Sequence, residues 1–402
     1  MTTQSVSGWR SIARSIAALM TGYLVLMAAN NMLTSLTSLQ LVAHGARDAL
    51  SGLVQSAYYL GFVCGALFAR DLIMRIGHHR AFVGIVALIV AVVLLQSLAF
   101  HPLLWIACRM FTGMSLLGVF MIVESWLNDA APSAQRGRVI ALYMITSYLG
   151  AGAGQAVLLL VPASSPAAFP VVMAIFACAA LPVWLGSARR SGHVAHRRTL
   201  RASVGQLWRS FRLIARQTPA AMIAIVVAGM LNSAYYTLMP VFLSHSGYGE
   251  TAVVRDMAWS MLAALLLQWP LGALADRYGR VLVLQRLCLA AAALAGSIYL
   301  LLGQWQMIWL VFCYVSVVFG MYGIANVIVN DTVAPALRVE TSSVLLLTFA
   351  AGGVVGPVLV SAVMTWAGAA AYFLCLMLLC LVFPLASLLL RGAAGEVASE
   401  SV

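Results

Sequence analysis

The chain contains no lysine; all 23 of its basic residues are arginine. That absence removes the phosphate-gripping lysine of a P-loop, so the chain is not itself an ATP motor, and it excludes a lysine Schiff base. Charge of either sign is scarce. Charged residues make up 8% of the 402 positions against 63% hydrophobic ones, and only 11 residues are acidic. A water-soluble protein of this length needs far more charge to cover its surface. The seven cysteines (64, 108, 178, 288, 313, 375 and 380) fall in apolar stretches and form no CxxC pair. They lack the loop-placed spacing of a disulfide framework and read as small buried apolar residues. There is no HExxH zinc motif and no GxSxG nucleophile elbow, so neither enzymatic chemistry nor a metal or cofactor site is expected. The seven histidines lie outside the apolar runs or at their edges, which argues against an intramembrane histidine relay.

What the chain does have is long apolar runs separated by short polar breaks. A helix that crosses a bilayer needs about 20 mostly apolar residues. Twelve such runs begin near Ile12, Leu50, Ala81, Leu103, Val139, Phe169, Ala220, Ala252, Val281, Met307, Thr341 and Ala371, six on each side of the region 188–218. Arg10 and Arg14 before the first run resemble the start of a signal peptide. The polar stretch from Asn30 to Gln40 offers no small-residue cleavage site, however, and more spans follow, so the run reads as a first spanning helix.

The net charge of +12 would suit nucleic acid, but its distribution argues against that partner. With the N-terminus inside, about twenty arginines fall in cytoplasmic segments; Arg47 and Arg255 lie outside and Arg109 lies within a span. This asymmetry predicts a multi-pass membrane protein with both termini cytoplasmic. The outer breaks are short: His101-Pro102, Pro162 to Pro166, Ser246 to Gly249, Gly303-Gln304 and Trp366 to Gly368. They make neighbouring helices antiparallel. The tail after Arg391 is small and polar and reads as disordered.

The second half repeats the first. Asn30, Gly77, Asn128, Asp129, Arg136, Gly150 and Gly154 recur as Asn232, Gly279, Asn330, Asp331, Arg338, Gly352 and Gly356, always 202 positions on. One constant offset means two copies of one unit, the form expected of a transporter built from related halves. The predicted organisation is an all-α membrane protein of twelve transmembrane helices in two pseudo-twofold-related six-helix bundles, 1–187 and 219–402, joined by an arginine-rich cytoplasmic linker, 188–218. The linker carries eight arginines and no acid, and an amphipathic helix is expected from Val204 to Ile214. Such a stretch either lies on anionic lipid or is a solvated basic loop that serves topology.

Several polar residues within or beside the spans carry possible chemistry. Arg109 is intramembrane, where burial of charge is costly and usually functional; the alternative is an arginine satisfied by carbonyls or water. Glu124 ends the same helix, about 22 Å from Arg109, too far to pair but on roughly the same side. It is either a titratable group or an interfacial carboxylate that fixes Trp126 or Arg138. Asp256 can protonate, pair with Arg109, or form a helix-start pair with Arg255. Asn30, Asn31, Tyr58, Tyr143, Asn232, Tyr235, Tyr236, Trp259, Tyr322 and Asn326 are the candidates for a polar, aromatic substrate cavity, alongside the bland reading of helix–helix hydrogen bonds. Gly150, Gly154, Gly352 and Gly356 read as close-packing positions. Asp129 with Arg136, and Asp331 with Arg338, stand at the inner ends of the fourth and tenth spans. They act either as two halves of a gate or as static helix-end chemistry.

The stretch Gly272-Ala-Leu274-Ala-Asp276-Arg277-Tyr-Gly279-Arg280 resembles the GxLaDRxGRR signature of the major facilitator superfamily, in the position where that family carries it. The first copy is degenerate: Arg75 and Gly77 match, Met74 stands where Asp276 does, Arg70 stands for Gly272, and Asp71 is one turn away. Arg109 and Gly113 resemble the family's RxxxG motif, which is associated with proton coupling. The glycines of the fifth span resemble the antiporter motif but lack its Gly-Pro, which weakens an antiport reading; Gly356-Pro357 lies in the eleventh span instead. Glu124-Ser-Trp-Leu-Asn128 and Arg75-Ile-Gly77-His78-His-Arg80 are similar to the bacterial YcaD-like subgroup.

The resemblance covers nearly the whole chain and implies two bundles around a central cavity opened alternately to each side. It also implies a cytoplasmic gate at Asp71, Arg75, Gly77, Asp129, Arg136, Gly272, Asp276, Arg277, Gly279, Arg280, Asp331 and Arg338. The function expected is proton-coupled secondary transport of a small organic solute across the bacterial inner membrane by a monomer, with Arg109, Glu124 and Asp256 handling the proton. An uncoupled facilitator, or a membrane sensor or scaffold that moves nothing, are the competing readings.

Overall fold

The computed structural model describes the backbone of residues 3–130, 136–185, 200–304, 306–333 and 338–400. Within these, side chains are described except at 3–16, 67–68, 70–71, 74, 128–130, 136–141, 200–204, 338–340 and 390–400. Thirteen α-helices and no strands occur among the described residues. They are α1 (Thr3–Ala43), α2 (Asp48–Ile76), α3 (His78–Leu98), α4 (Pro102–Ala130), α5 (Arg136–Leu160), α6 (Ala168–Leu185), α7 (Leu200–Gln217), α8 (Pro219–His245), α9 (Glu250–Tyr278), α10 (Arg280–Leu300), α11 (Met307–Thr332), α12 (Arg338–Ala367) and α13 (Ala371–Glu400).

All but α7 contain a stretch long and apolar enough to cross a membrane, twelve in total. The starts of the spans after the first fall within a few residues of those read from hydropathy, and the side chains of the first are described from Ala17 onward. Helix is the form a lipid-exposed segment must take, because it satisfies its backbone donors and acceptors internally. Even Pro182, Pro240, Pro270, Pro357 and Pro384 sit inside helices.

The contacts divide the chain into two units, 1–45 with 57–197 and 249–261, and 46–56 with 198–248 and 262–402. In unit 1, α1 packs on α5 and α6, and α3 on α4 and α6. In unit 2, α8 packs on α12, α11 and α13, and α10 on α11 and α13. The 202-residue offset is visible in this packing. A Cβ on Gly150 or Gly154 would lie 2.7 Å from the Leu24 oxygen or 2.1 Å from the Ala28 oxygen of α1. A Cβ on Gly352 or Gly356 would lie 2.1 Å from the Val226 oxygen or 2.5 Å from the Met230 oxygen of α8. Glycine and carbonyl alike are displaced by the repeat length, so both units use the same backbone-to-backbone approach, the small-residue device of membrane helix packing.

The turns between α2 and α3 and between α9 and α10 are single glycines, Gly77 with φ 81° and Gly279 with φ 90°. A side chain is strained in that conformation, so the paired glycines are required by backbone geometry. Gly272 differs: a Cβ there would meet nothing within 4 Å among the described residues, so it marks no close helix approach to them.

The first turns of α2 and α9 cluster apart from the rest of their helices. In unit 2, Asp48 lies 3.5 Å from His245, the Ala49 N–H donates to Thr365 Oγ1 at 3.1 Å, and Gly52 abuts Ser361 and Pro357. In unit 1, the Glu250 carboxylate accepts from the Ala163 N–H. Asp48 and Glu250 are themselves repeat partners, each an acid in the first turn of its helix, where the helix dipole favours negative charge.

Two expectations change. The linker helix runs from Leu200 to Gln217, longer than 204–214, and packs on α8 and α12 within unit 2. Cys178 and Cys313 are exposed rather than buried; on spanning helices an exposed thiol adds little polarity, so burial was not needed to explain them.

Candidate functional site

Arg109 is fully buried on α4. Its Nη2 donates to Thr34 Oγ1 of α1 at 3.2 Å, and its guanidinium lies 4.8 Å from the centroid of the Tyr58 ring on α2. A cation over an aromatic face is stabilised more strongly when desolvated. Local sequence explains how Tyr58 gets there. Gly113 and Gly61 let α2 and α4 touch: a Cβ on either would lie 1.8 Å from the Tyr58 or the Met110 carbonyl oxygen. Thr34 in turn donates to the Asn30 carbonyl at 2.9 Å.

Glu124 is exposed near the end of α4. The Tyr143 hydroxyl of α5 donates to its Oε1 at 3.5 Å. Tyr143 stacks on Tyr23 of α1, centroids 4.9 Å apart, and the Tyr23 hydroxyl is 2.9 Å from Ser147 Oγ. Rings then connect Arg109 with Glu124 along α4. Tyr58 meets Phe62 at 6.5 Å, Phe62 meets Phe120 at 5.6 Å, and Phe120 meets Tyr23 at 6.0 Å. Arg109 and Glu124 do not pair, as their spacing required, but one aromatic wall on α1, α2, α4 and α5 of unit 1 joins them.

Asp256 is buried, 4% exposed, and its Oδ1 accepts from Arg255 Nε at 3.2 Å. Its Oδ2 is buried with no hydrogen-bond partner among the described residues. Of the three roles open to Asp256, the structure shows the pair with Arg255. The pair is not exposed, because only Arg255 reaches out, with 57% of its side chain accessible.

The remaining cavity candidates divide by unit. In unit 1, the Asn31 Nδ2 donates to its own helix at Met27, Asn30 is buried with Oδ1 lacking a partner among the described residues, and Trp259 is 54% exposed. In unit 2, Tyr235, Tyr236 and Phe319 form one ring cluster with centroids 5.1 to 6.3 Å apart. Asn232 donates to the Ala228 carbonyl at 2.8 Å. Tyr322, Asn326 and Asn330 form a ladder along α11: Asn326 Nδ2 donates to the Tyr322 hydroxyl at 3.3 Å, and Asn330 Nδ2 to Asn326 Oδ1 at 2.6 Å. Asn326, the repeat partner of Glu124, is thus one rung of a neutral ladder.

The helix ends around the α2–α3 and α9–α10 turns differ between the units. In unit 2, Arg280 at the start of α10 binds Asp276 of α9 through Nε at 3.1 Å and Nη2 at 2.9 Å, and also binds Asp331 of α11. Arg277 lies over Tyr278 at 5.4 Å. In unit 1, the position of Arg280 is taken by His78, whose Nε2 is 3.2 Å from Ser125 Oγ and whose ring stacks on Trp126 at 6.1 Å. Arg75 is exposed. The side chains of Asp71, Asp129, Arg136 and Arg338 lie outside the described ones. So the degenerate first copy is tied by a histidine on the Ser-Trp pair where the second uses an ion triad.

Tyr23, Phe62, Phe120, Ser147 and His78 were not among the sequence candidates. Same-face spacing points to the three rings. Tyr23 precedes Asn30 by seven, Phe62 follows Tyr58 by four, and Phe120 precedes Glu124 by four, all of which place side chains on one helix face. His78 is the residue 202 positions before Arg280.

Comparison with known proteins agrees with this architecture. A family model described as the Major Facilitator Superfamily matches residues 19–345. An uncharacterized MFS-type transporter of Enterobacter sp. (strain 638) is 28% identical over 345 residues, 86% of this chain and 87% of the relative. The uncharacterized MFS-type transporter YcaD of Escherichia coli (strain SMS-3-5 / SECEC) is 28% identical over 344 residues, 86% and 87% of the two chains. Among solved structures, the nucleoside transporter NupG superposes with a TM-score of 0.74 at 12% identity, over 94% of this chain and 98% of that one. The peptide transporter POT in complex with sulfate superposes with a TM-score of 0.74 at 12% identity, over 95% of each chain.

Proposed function

We propose that this chain, which belongs to the major facilitator superfamily, is a proton-coupled secondary transporter. It moves a small organic solute across the bacterial inner membrane by alternating access, with both termini cytoplasmic. Its family membership makes it a membrane transport protein rather than an enzyme.

The observation that carries the coupling is the contact of exposed Glu124 with Tyr143. A coupling group has to exchange a proton with water and report its charge to the fold. Glu124 lies open at the surface of unit 1 near the end of its span, and this reading has that surface facing water, which serves the first need. The second follows from hydrogen-bond chemistry: an ionised carboxylate only accepts, whereas a protonated one also donates. Loss of charge at Glu124 weakens its hold on the Tyr143 hydroxyl, and Tyr143 is stacked on Tyr23 at the head of the ring path to Arg109. Arg109 then acts as a fixed positive charge, and Asp256, with one carboxylate oxygen buried and unbonded, is the second proton site.

The solute is neutral or amphipathic in this reading, because the polar candidates within the spans are amides and tyrosines. Asn30, Asn31, Tyr58 and Tyr143 are the candidate solute contacts of unit 1, and Asn232, Tyr235, Tyr236, Tyr322 and Asn326 are those of unit 2. Arg75 and Gly77, with Gly279, Arg280, Asp276 and Asp331, serve the cytoplasmic gate. Trp259 and Gly272 have the weakest support, one being largely exposed and the other standing in open space.

A thermal-stability screen of the purified protein against nucleosides, peptides, sugars and antibiotics identifies the solute, since a ligand of the folded state raises its apparent stability. Uptake of that solute into proteoliposomes then tests the coupling. An inward-acidic or outward-acidic gradient should change the rate in the wild type and not in Glu124→Gln. Uptake indifferent to a collapsed gradient would favour a facilitator.

A further inference from the structure

The chain carries no acidic residue between Asp129 and Glu250, and α7 lies in the middle of that interval with four arginines and no acid. Hydropathy left two readings of this helix open. The structure separates its two faces. Ile214 is 2% exposed, and Leu207 and Phe211 are half-buried; with them α7 docks on α8 and α12 of unit 2. The opposite face shows Arg209, Arg212 and Arg216, which follow one another at spacings of three and four and so form one stripe. Trp208, 54% exposed, and Leu213, 43% exposed, flank the stripe on its two sides.

The stripe is also held in place. Trp208 stacks on the docked Phe211, centroids 5.5 Å apart and planes 9° from parallel. The Arg212 guanidinium lies 5.2 Å from the Trp208 ring. Its level in the membrane follows from the chain: Thr218, with φ −136° and ψ 56°, interrupts the helix, and the α8 span starts at Pro219. Arg216 is therefore within about 5 Å of helix rise from the first residue of a spanning segment. A cationic stripe with an exposed indole at that boundary fits one environment well. Guanidinium groups bind phosphate oxygens in a fork geometry, and tryptophan is favoured at the headgroup level. A soluble phosphate would match the arginines but leave Trp208 and Leu213 uncovered.

We propose that the exposed face of α7 is a binding surface for the headgroups of anionic phospholipids. Phosphate groups sit on Arg209, Arg212 and Arg216, and Trp208 and Leu213 lie against the headgroup–acyl boundary. This is independent of which solute is moved and of whether protons are coupled to it.

The test uses the full-length protein in nanodiscs of phosphatidylcholine with a minor fraction of phosphatidylglycerol. Lipid retained after detergent extraction is quantified by mass spectrometry. The protein should retain phosphatidylglycerol above its share of the bilayer, and the Arg209→Gln/Arg212→Gln/Arg216→Gln variant should lose that enrichment by about tenfold. The three single variants give a graded loss if the triple variant does not fold. Bromine-labelled phosphatidylglycerol should quench the parent more than Trp208→Phe, and added glycerol phosphate should not compete. Equal retention of phosphatidylglycerol by parent and arginine variants would overturn the proposal. So would unselective retention by the parent, or displacement by glycerol phosphate, which would make the stripe a site for a soluble anion.

Discussion

Tyr23 and Tyr143 stack with their ring centroids 4.9 Å apart, and this pair stands between Glu124 and the rest of unit 1. Neither ring is adjacent to Glu124 in sequence, yet Tyr143 bonds its carboxylate and Tyr23 passes the contact to Phe120. The stack therefore separates two effects that a single substitution would mix. Tyr143→Phe keeps the ring and removes the hydroxyl. It should leave the melting midpoint within a few degrees while lowering pH-gradient-driven uptake. Tyr143→Ala also removes the stack and should cost a further ~1 kcal/mol, seen as a lower midpoint in detergent. A Phe variant with full gradient-driven uptake would take the hydroxyl out of the coupling.

The glycine turns predict a contrast. Gly77→Ala and Gly279→Ala each place a side chain at a positive φ, and each should cost about 1–3 kcal/mol. Gly272→Ala adds a methyl group in open space on a helix and should be neutral or stabilising by up to about 1 kcal/mol. Melting midpoints of the three variants decide this; equal losses would show that Gly272 is packed after all.

The packing glycines predict that damage in one unit is mirrored in the other. Gly154→Ala forces its new methyl onto the Ala28 carbonyl, and its repeat partner Gly356→Ala does the same at Met230. Both should destabilise by roughly 1–3 kcal/mol or more, since helix backbones can separate only by undoing their other contacts. A loss at one position with none at its partner would mean that the repeat governs sequence but not packing.

Much of this architecture was legible beforehand. Apolar runs of bilayer length can adopt little else than helix, so the spans were accessible from hydropathy alone. The paired glycines at 77 and 279 and at 150 and 352 also showed, because glycine at a fixed offset reports backbone geometry. What one helix presents to another was harder to see. Phe62, Phe120 and Tyr23 look like ordinary apolar content until their face is compared with Tyr58, Glu124 and Asn30. His78 was hidden for another reason: it replaces Arg280 with a different chemistry, a ring on Trp126 in place of an ion pair. The sequence left three roles open for Asp256, because its neighbour Arg255 also suggested a helix-start pair; the fold buries the acid and leaves only the arginine outside.

The triad around the α9–α10 turn of unit 2 should matter more for motion than for stability. Arg280, Asp276 and Asp331 are substantially exposed, with 32%, 67% and 57% of their side chains accessible. Exposed ion pairs contribute about 0.2–1 kcal/mol each. Arg280→Gln should therefore shift the melting midpoint by only a degree or two but slow solute transport several-fold in proteoliposomes. A large loss of stability at an unchanged rate would assign the triad a static role.

The most direct measurement is proton movement driven by the solute. The wild type and Glu124→Gln are reconstituted into vesicles that trap a pH-sensitive dye, and the solute identified by thermal shift is added outside without any imposed gradient. The account predicts a change of internal pH in step with uptake for the wild type, abolished in the variant. Uptake by the wild type with no accompanying pH change, or the same pH change in Glu124→Gln, would contradict it.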